Sequence, residues 1–450
     1  MSPLVVAGVR LRRSLRLVII GIGFGMVYFS ITTGTPLTGF ARKLGAGDFL
    51  YGILMALPVL GGVVQLFTAY LIEKIRRRKI LFMASLLTQR LLWLPIACVP
   101  FLVPSGWPGL RVWTVIALLS LSAVNGSIGN VAFLSWMGDL VPEQIRGRFF
   151  SRRNTVSTIT AALGGLAAGY YLDLNDSFKG FALVFSAAAL FGAADILCFL
   201  WVDEPPMAET EQIRLLDLAT CPFRAPDFRR FMFYNAAWSF AVNCAGPFFN
   251  VYMLEHLHLG YLQISVYAQL LGSLSTVLMV RVWGRLTDAY GSKPVLAVCC
   301  GGASVLPLVW ILTSPGWPYT PLIVLAINFS AGVCWSGIDL CHLNLLLKFS
   351  PDRNRSVYVA GFNLFTTLAG SALAFVAGGL FLDLVRGPVA RLGWRIFGGP
   401  LTGYHLLFVF SGLLRVLAAA VLLPGLREER STAPAQIVRL LLGRGRGAAG

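Results

Sequence analysis

What this chain of 450 residues has least of is charge. Only 13% of its residues are Asp, Glu, Lys or Arg, roughly half of what a water-facing surface carries, so a soluble globular protein is excluded. The eight cysteines are dispersed, mostly inside apolar runs and without paired spacing, which excludes a disulfide scaffold. So apolar a chain cannot be disordered. No strand precedes Gly21, Gly23 and Gly25 and no lysine follows them, so they form no phosphate loop. His256 and His258 lack a nearby third ligand, so no metal is expected. No nucleophile, base and oxyanion group converge, so an enzyme with catalytic residues or a cofactor is not expected.

What is present is apolar: 56% hydrophobic residues and a mean hydropathy of +0.73. Stretches of about twenty apolar residues, each long enough to cross a ~30 Å hydrocarbon core as a helix, recur twelve times. They lie near 17–38, 49–72, 80–102, 112–137, 149–172, 181–202, 231–254, 263–283, 294–313, 320–346, 356–382 and 403–423. A water-soluble protein cannot hide twelve such segments, so the partner of this surface is a lipid bilayer and the fold class is all-α integral membrane.

Lysine and arginine set the orientation. With the N-terminus inside, the inner segments hold 28 of them and the outer loops seven, with Arg90 and Arg415 inside spans. Both termini are therefore expected in the cytoplasm, and the net charge of +17 is mostly a topology signal. Spread over seven short loops with no aromatic-interleaved patch, these residues do not point to nucleic acid. The first span is too long for a signal peptide and lacks a small-residue cleavage site, so it is expected to be retained. The longest polar stretch, 203–230, divides the chain. The expected order is a basic N-terminus (1–16), six spans (17–202), a cytoplasmic linker (203–230), six spans (231–423) and a tail (424–450).

The halves are related. A shift of 209 lays Pro142 over Pro351, Arg146 over Arg355, Asn154 over Asn363, Thr158 over Thr367, Ser127 over Ser336 and Asn130 over Asp339. A shift of 215 lays Glu73 over Asp288 and Arg78 over Lys293. Similar offsets at matching places argue for duplicated bundles related by an axis along the membrane normal.

Between the eighth and ninth spans the chain reads G-R-L-T-D-A-Y-G-S-K, Gly284 to Lys293. This resembles the G-x-L-x-D-x-x-G-[RK]-[RK] signature of the major facilitator superfamily, and A-Y-L-I-E-K-I-R-R-R at 69–78 resembles a degenerate first-half copy. The resemblance covers about 15 to 425. It implies the superfamily's fold of two six-helix bundles and a secondary active transporter that moves a small organic solute by alternating access. It departs from proton-driven drug exporters: the span-4 arginine motif is replaced by Ser122-Ala-Val-Asn125-Gly126, and span 5 lacks a Gly-Pro pair.

The resemblance also implies a cytoplasmic latch made by Glu73, Arg77, Arg78, Asp139, Gly284, Arg285, Asp288, Gly291 and Lys293. A carboxylate at one helix end can accept hydrogen bonds from the free N–H groups that open another. Glu73 would face the start of span 11 near Ser356, Asp288 the start of span 5 near Arg148, and Arg77 or Arg78 would pair with Asp139. In the second half Lys348 stands where Asp139 would, so the latch is expected to be asymmetric.

Ionisable groups inside spans cost at least ~2.5–3.5 kcal/mol each and are functional candidates. Four qualify: Arg90, Asp195, Asp339 and Arg415. The resemblance makes spans 1, 4, 7 and 10 cavity-lining and spans 3, 6, 9 and 12 peripheral, which favours Asp339 over Asp195. Trp335, Ser336, Asp339 and His342 recur at helical spacing, opposite Ser127 and Asn130 on span 4, with His342 as a relay and a proton or another cation as the coupling ion. Thr33 beside a Gly-Pro break in span 1, and Asn243 in span 7, complete the expected cavity. Arg90 either grips an anionic substrate or pairs with a carboxylate such as Asp195. Few charges with aromatics, Asn and Thr favour a neutral, amphipathic or weakly charged solute, carried by a monomer in a bacterial-type cytoplasmic membrane. The alternative is a non-transporting membrane sensor or assembly partner of the same fold.

Overall fold

The computed structural model describes residues 3–65, 68, 72, 77–205, 222–351, 355–396, 399–426, 428, 436 and 437. They are nearly all helical. Nine helical segments among them are long and apolar enough to cross a membrane. The other three expected spans fall on Asp48–Val63, which is apolar but shorter, on Glu143–Leu174 and on Pro226–Glu255.

The helices are α1 (Pro3–Thr33), α2 (Thr35–Lys43), α3 (Asp48–Leu60), α4 (Arg78–Leu91), α5 (Trp93–Leu102), α6 (Pro108–Leu140), α7 (Glu143–Leu174), α8 (Phe178–Cys198), α9 (Pro226–Asn243), α10 (Gly246–Glu255), α11 (Tyr261–Ser265), α12 (Gly272–Tyr290), α13 (Ser292–Val309), α14 (Thr320–Phe349), α15 (Arg355–Phe365), α16 (Leu373–Leu392) and α17 (Gly403–Leu417). A two-stranded hairpin, β1 (Arg395–Ile396) against β2 (Gly399–Pro400), precedes α17. Proline opens α2, α6, α9, α10 and α14, where its missing N–H leaves no bond unmade. The expected Gly-Pro breaks appear as the α1/α2 junction at Gly34 and the α9/α10 junction at Cys244–Ala245. Both α1 and α7 extend through their basic stretches, so Arg10 to Arg16 and Arg146 to Arg153 are helical residues and not loop cations.

The chain forms two compact units: Met1–Glu211 with Leu259–Ser265, and Gln212–His258 with Val266–Gly450. The core of the first gathers Phe82, Trp136, Ile196 and Phe199. Within it, Asp173 near the end of α7 accepts hydrogen bonds from the backbone N–H of Tyr261 (2.6 Å) and Leu262 (3.0 Å), tying α11 to the unit. The core of the second gathers Phe228, Phe231, Trp238, Trp283, Leu296 and Leu345. There, a π-helical stretch, Thr366–Ala372, receives the two amides of α9: Asn235 donates to Thr366 Oγ1 (3.4 Å) and Asn243 to Ser371 Oγ (3.1 Å).

The units repeat one device. In the first, the backbone N–H of Lys79 donates to Glu204, and its Nζ to the carbonyls of Leu200 and Val202. In the second, the N–H of Lys293 donates to Glu428, and its Nζ to the carbonyls of Pro424 and Leu426. A carboxylate that follows each unit's last span thus caps the helix that opens its third, where free N–H groups and the helix dipole favour negative charge. This geometry equates Lys293 with Lys79 and corrects the register that laid it over Arg78.

Candidate functional site

The site is built inside the first unit. Phe82, Leu86, Gln89 and Arg90 recur at helical spacing on α4, and Ala123, Gly126, Ser127, Asn130 and Phe133 do so on α6. With Phe29 of α1, Pro58 of α3, Gln65, Arg153 of α7, Asp195 of α8 and Phe199, these faces line an open-sided cavity of about 430 Å³. That is a size typical of small-molecule pockets. Arg90 lies twelve residues from the start of α4, ~18 Å along the helix, so it is deep within its span.

Arg90 Nη2 stands 3.3 Å from Asp195 Oδ2, the two side chains being 12% and 6% exposed. Its guanidinium lies over the Tyr28 ring, 3.9 Å from the centroid, and Nη1 donates to Gln89 Oε1 (3.1 Å). Glycines make room for this pair. A Cβ on Gly25 would fall 2.5 Å from Asp195 Oδ2, and one on Gly192 would fall 2.6 Å from Arg90 Cδ. Gly21 likewise borders Asp195 and Phe199. The small residues of α1 and α8 are thus a niche for two buried charges.

The pair is incompletely satisfied. Arg90 Nε is buried without a hydrogen-bond partner, as is Arg153 Nε. Arg153 lies over the rings of Phe133 (5.4 Å) and Phe150 (5.9 Å) and makes no ion pair among the described residues. Buried donors are normally paired, and an unpaired one costs about 1–3 kcal/mol. Two at one cavity mark it as the candidate site.

Of the residues expected from the sequence, Arg90, Ser127 and Asn130 are brought together here. Asp195, expected to be the less favoured carboxylate, lines the cavity beside Arg90, and Asp339, in the second unit, is exposed and takes no hydrogen bond among the described residues. The residues expected on one face of α14 lie on an unbroken helix but have different neighbours. Ser336 is buried and donates to the Val333 carbonyl (2.8 Å), and Trp335 packs against the core. His342 turns its ring edge-on to Phe231 and Tyr234 (6.2 and 6.0 Å). Among the described residues no hydrogen bond links His342 to Asp339. Asn243 is engaged with Ser371, and Thr33, exposed, donates back to the Phe29 carbonyl (2.7 Å). The fourth intramembrane charge, Arg415, is buried and donates to the Ala303 carbonyl (2.9 Å).

Sequence reading missed Gln65, Gln89 and Arg153. The helical spacing of Gln89 with Phe82 and Leu86 on an otherwise apolar span was a usable signal. Arg153 was counted with the inner loop cations although it falls inside the expected span 149–172, one turn from its start.

Among the expected latch residues, Arg78 rather than Arg77 reaches Asp139. It is 1% exposed, lies 2.5 Å from Asp139 Oδ2, and also donates to Ser135 O (2.9 Å) and Pro205 O (3.0 Å). Arg77 is exposed. Lys348, at the place related to Asp139, pairs with Glu428 (3.2 Å). Gly291 sits at φ 92°, ψ 162° between α12 and α13, a conformation essentially restricted to glycine. Gly284 is half-buried within α12, Arg285 and Asp288 are exposed, and Asp288 has no hydrogen-bond partner among the described residues. Glu73 lies outside the described residues.

The model of the Major Facilitator Superfamily matches residues 17–374 and 239–443. The chain belongs to this superfamily. It is accordingly a multi-pass membrane transporter and not an enzyme. Curated proteins give no significant sequence match. Solved structures share the fold at low identity. A mutant of the nucleoside transporter NupG superposes with a TM-score of 0.67 and 14% identity, covering 92% of this chain and 100% of the other. A bacterial homologue of the iron transporter ferroportin gives 0.65 and 14%, over 95% and 100%. A D-xylose–proton symporter gives 0.60 and 15%, over 95% and 98%.

Proposed function

We propose that this superfamily member is a secondary active transporter of a small organic solute, working by alternating access and coupled to a proton or another cation. It would reside in a cytoplasmic membrane with both termini inside. The observation that supports this reading is the cavity itself: polar groups of α4, α6, α7 and α8 converge at intramembrane positions where each charge is costly, and buried donors there remain unused. A protein that serves only as an assembly partner has no need of such a cavity, whereas a solute sensor would keep it and is separated from a transporter by flux alone.

The test is flux. Purified protein in liposomes, with and without an imposed pH gradient, is given a panel of small neutral, anionic and cationic solutes. Uptake above protein-free liposomes for at least one solute supports transport, and dependence on the gradient supports proton coupling. Binding without flux for every solute bound would establish the sensor alternative. Two acidic residues are candidates to serve coupling, Asp195 in the cavity and Asp339 on α14. Asp339→Asn variants that keep both the rate and its pH dependence leave the role to Asp195.

A further inference from the structure

The charge balance of the cavity names its ligand more narrowly. Its ionisable lining consists of Arg90, Arg153 and Asp195. With all three ionised the site carries one uncompensated positive charge. The Arg90–Asp195 contact is a single one at 3.3 Å and leaves Arg90 Nε without an acceptor. Arg153 has only aromatic rings beneath it, and its Nε is likewise unmatched. Two guanidinium groups in a low-dielectric pocket, only one of them paired with a carboxylate, recognise planar, bidentate anionic groups. The rest of the wall divides in two. Gln65, Gln89, Ser127 and Asn130 offer neutral polar groups, while Phe29, Phe82, Phe133 and Phe199 offer apolar and aromatic surface.

We infer that this cavity binds a small organic monoanion, a carboxylate with an apolar or aromatic body, whose charged end is held by Arg90 and Arg153. The inference rests on the transporter reading and deepens it. One negative charge neutralises the site, whereas a cation would add to its surplus and a neutral solute would leave it in place. A polyanion would overshoot it. The aromatic wall, which includes the Phe133 ring beneath Arg153, accounts for the body of the ligand.

The experiment is ligand-dependent thermal stabilisation of the purified full-length protein in detergent. The probes are matched triples of acid, alcohol and amine on aliphatic, phenyl and indolyl bodies, with a dicarboxylate included. At least one monocarboxylate is expected to stabilise the protein while its alcohol and amine counterparts do not. Arg153→Gln and Arg90→Gln should each weaken that carboxylate by about tenfold or more, the loss of a charge-assisted hydrogen bond. Arg90→Lys keeps the charge and guards against misfolding of Arg90→Gln: it should retain carboxylate selectivity at reduced affinity. Stabilisation by amines or alcohols in preference to acids, stabilisation by no monocarboxylate, or carboxylate binding indifferent to both arginines overturns the inference. Its failure is separable from that of the transporter reading. Flux of a neutral or cationic solute alone would leave transport standing and remove the monoanion, and monocarboxylate binding without any flux would do the reverse.

Discussion

Two glycines on α1, two residues apart, should respond oppositely to the same substitution. A Cβ on Gly23 would stand 3.6 Å from Val156 Cγ1 and 3.7 Å from Thr160 Cγ2, ordinary van der Waals distances. A Cβ on Gly25 would stand 2.5 Å from Asp195 Oδ2 and 2.9 Å from Cγ. Asp195 cannot simply swing aside, because its carboxylate is held by Arg90 and Gly21 borders it as well. In both variants alanine recovers the helix-propensity deficit of glycine, about 0.8–1 kcal/mol. That gain is common to the two, so they should differ by the overpacking cost at Gly25, about 1–3 kcal/mol, plus whatever the displaced carboxylate loses with Arg90. Equilibrium unfolding of the purified variants in detergent measures the difference. Gly23→Ala should equal or exceed the parent and Gly25→Ala should fall below it. In an Asp195→Ala background the Gly25→Ala penalty should shrink by the same amount, as a double-mutant cycle between touching residues requires. Equal stabilities for the two alanine variants, or a Gly25→Ala penalty that survives in the Asp195→Ala background, would refute the niche.

Other expectations follow from the caps and the signature loop. Gly291→Ala forces a side chain into the backbone region at φ 92°, ψ 162° and should cost about 1–3 kcal/mol in the same unfolding assay; a neutral result would mean the loop relaxes to another conformation. Glu428 is nearly buried and serves Ser292 N, Lys293 N and Lys348 Nζ, so Glu428→Gln should cost roughly 1.5–3 kcal/mol. The related Glu204 is exposed and holds the N–H of Lys79, so Glu204→Gln should cost less; an equal or reversed ranking in thermal unfolding would show that the two caps are not graded by burial.

Much of the fold was readable because hydrophobic length, proline and glycine act locally. Apolar runs placed the spans, Pro36 and Pro247 marked the helix breaks, and the resemblance narrowed the partner of Asp139 to Arg77 or Arg78, of which the fold selects Arg78. The site was less legible, because it depends on which helix faces meet. Arg90 and Asp195 were both noticed as costly charges, yet Asp195 was set aside on the family's pattern of peripheral spans, which says nothing about the face a residue occupies. Gly21 and Gly25 form no phosphate loop and Gly192 belongs to no motif, and their use appears only when α1, α4 and α8 are packed. Lys79 was hidden in a run of five basic residues. Only its contacts with Glu204 and two carbonyls show that it, and not Arg78, answers to Lys293.

The proposed transport cycle requires that this cavity be offered to each side of the membrane in turn. Asn130 is exposed and lines it, so Asn130→Cys in a background freed of the native cysteines is a direct reporter. Its labelling by a membrane-impermeant maleimide is followed in right-side-out and inside-out vesicles, with and without a bound monocarboxylate. Labelling from both orientations, with the ratio of the two rates shifted by ligand, is the predicted result. Labelling from one side only, at a rate that no ligand changes, would contradict alternating access.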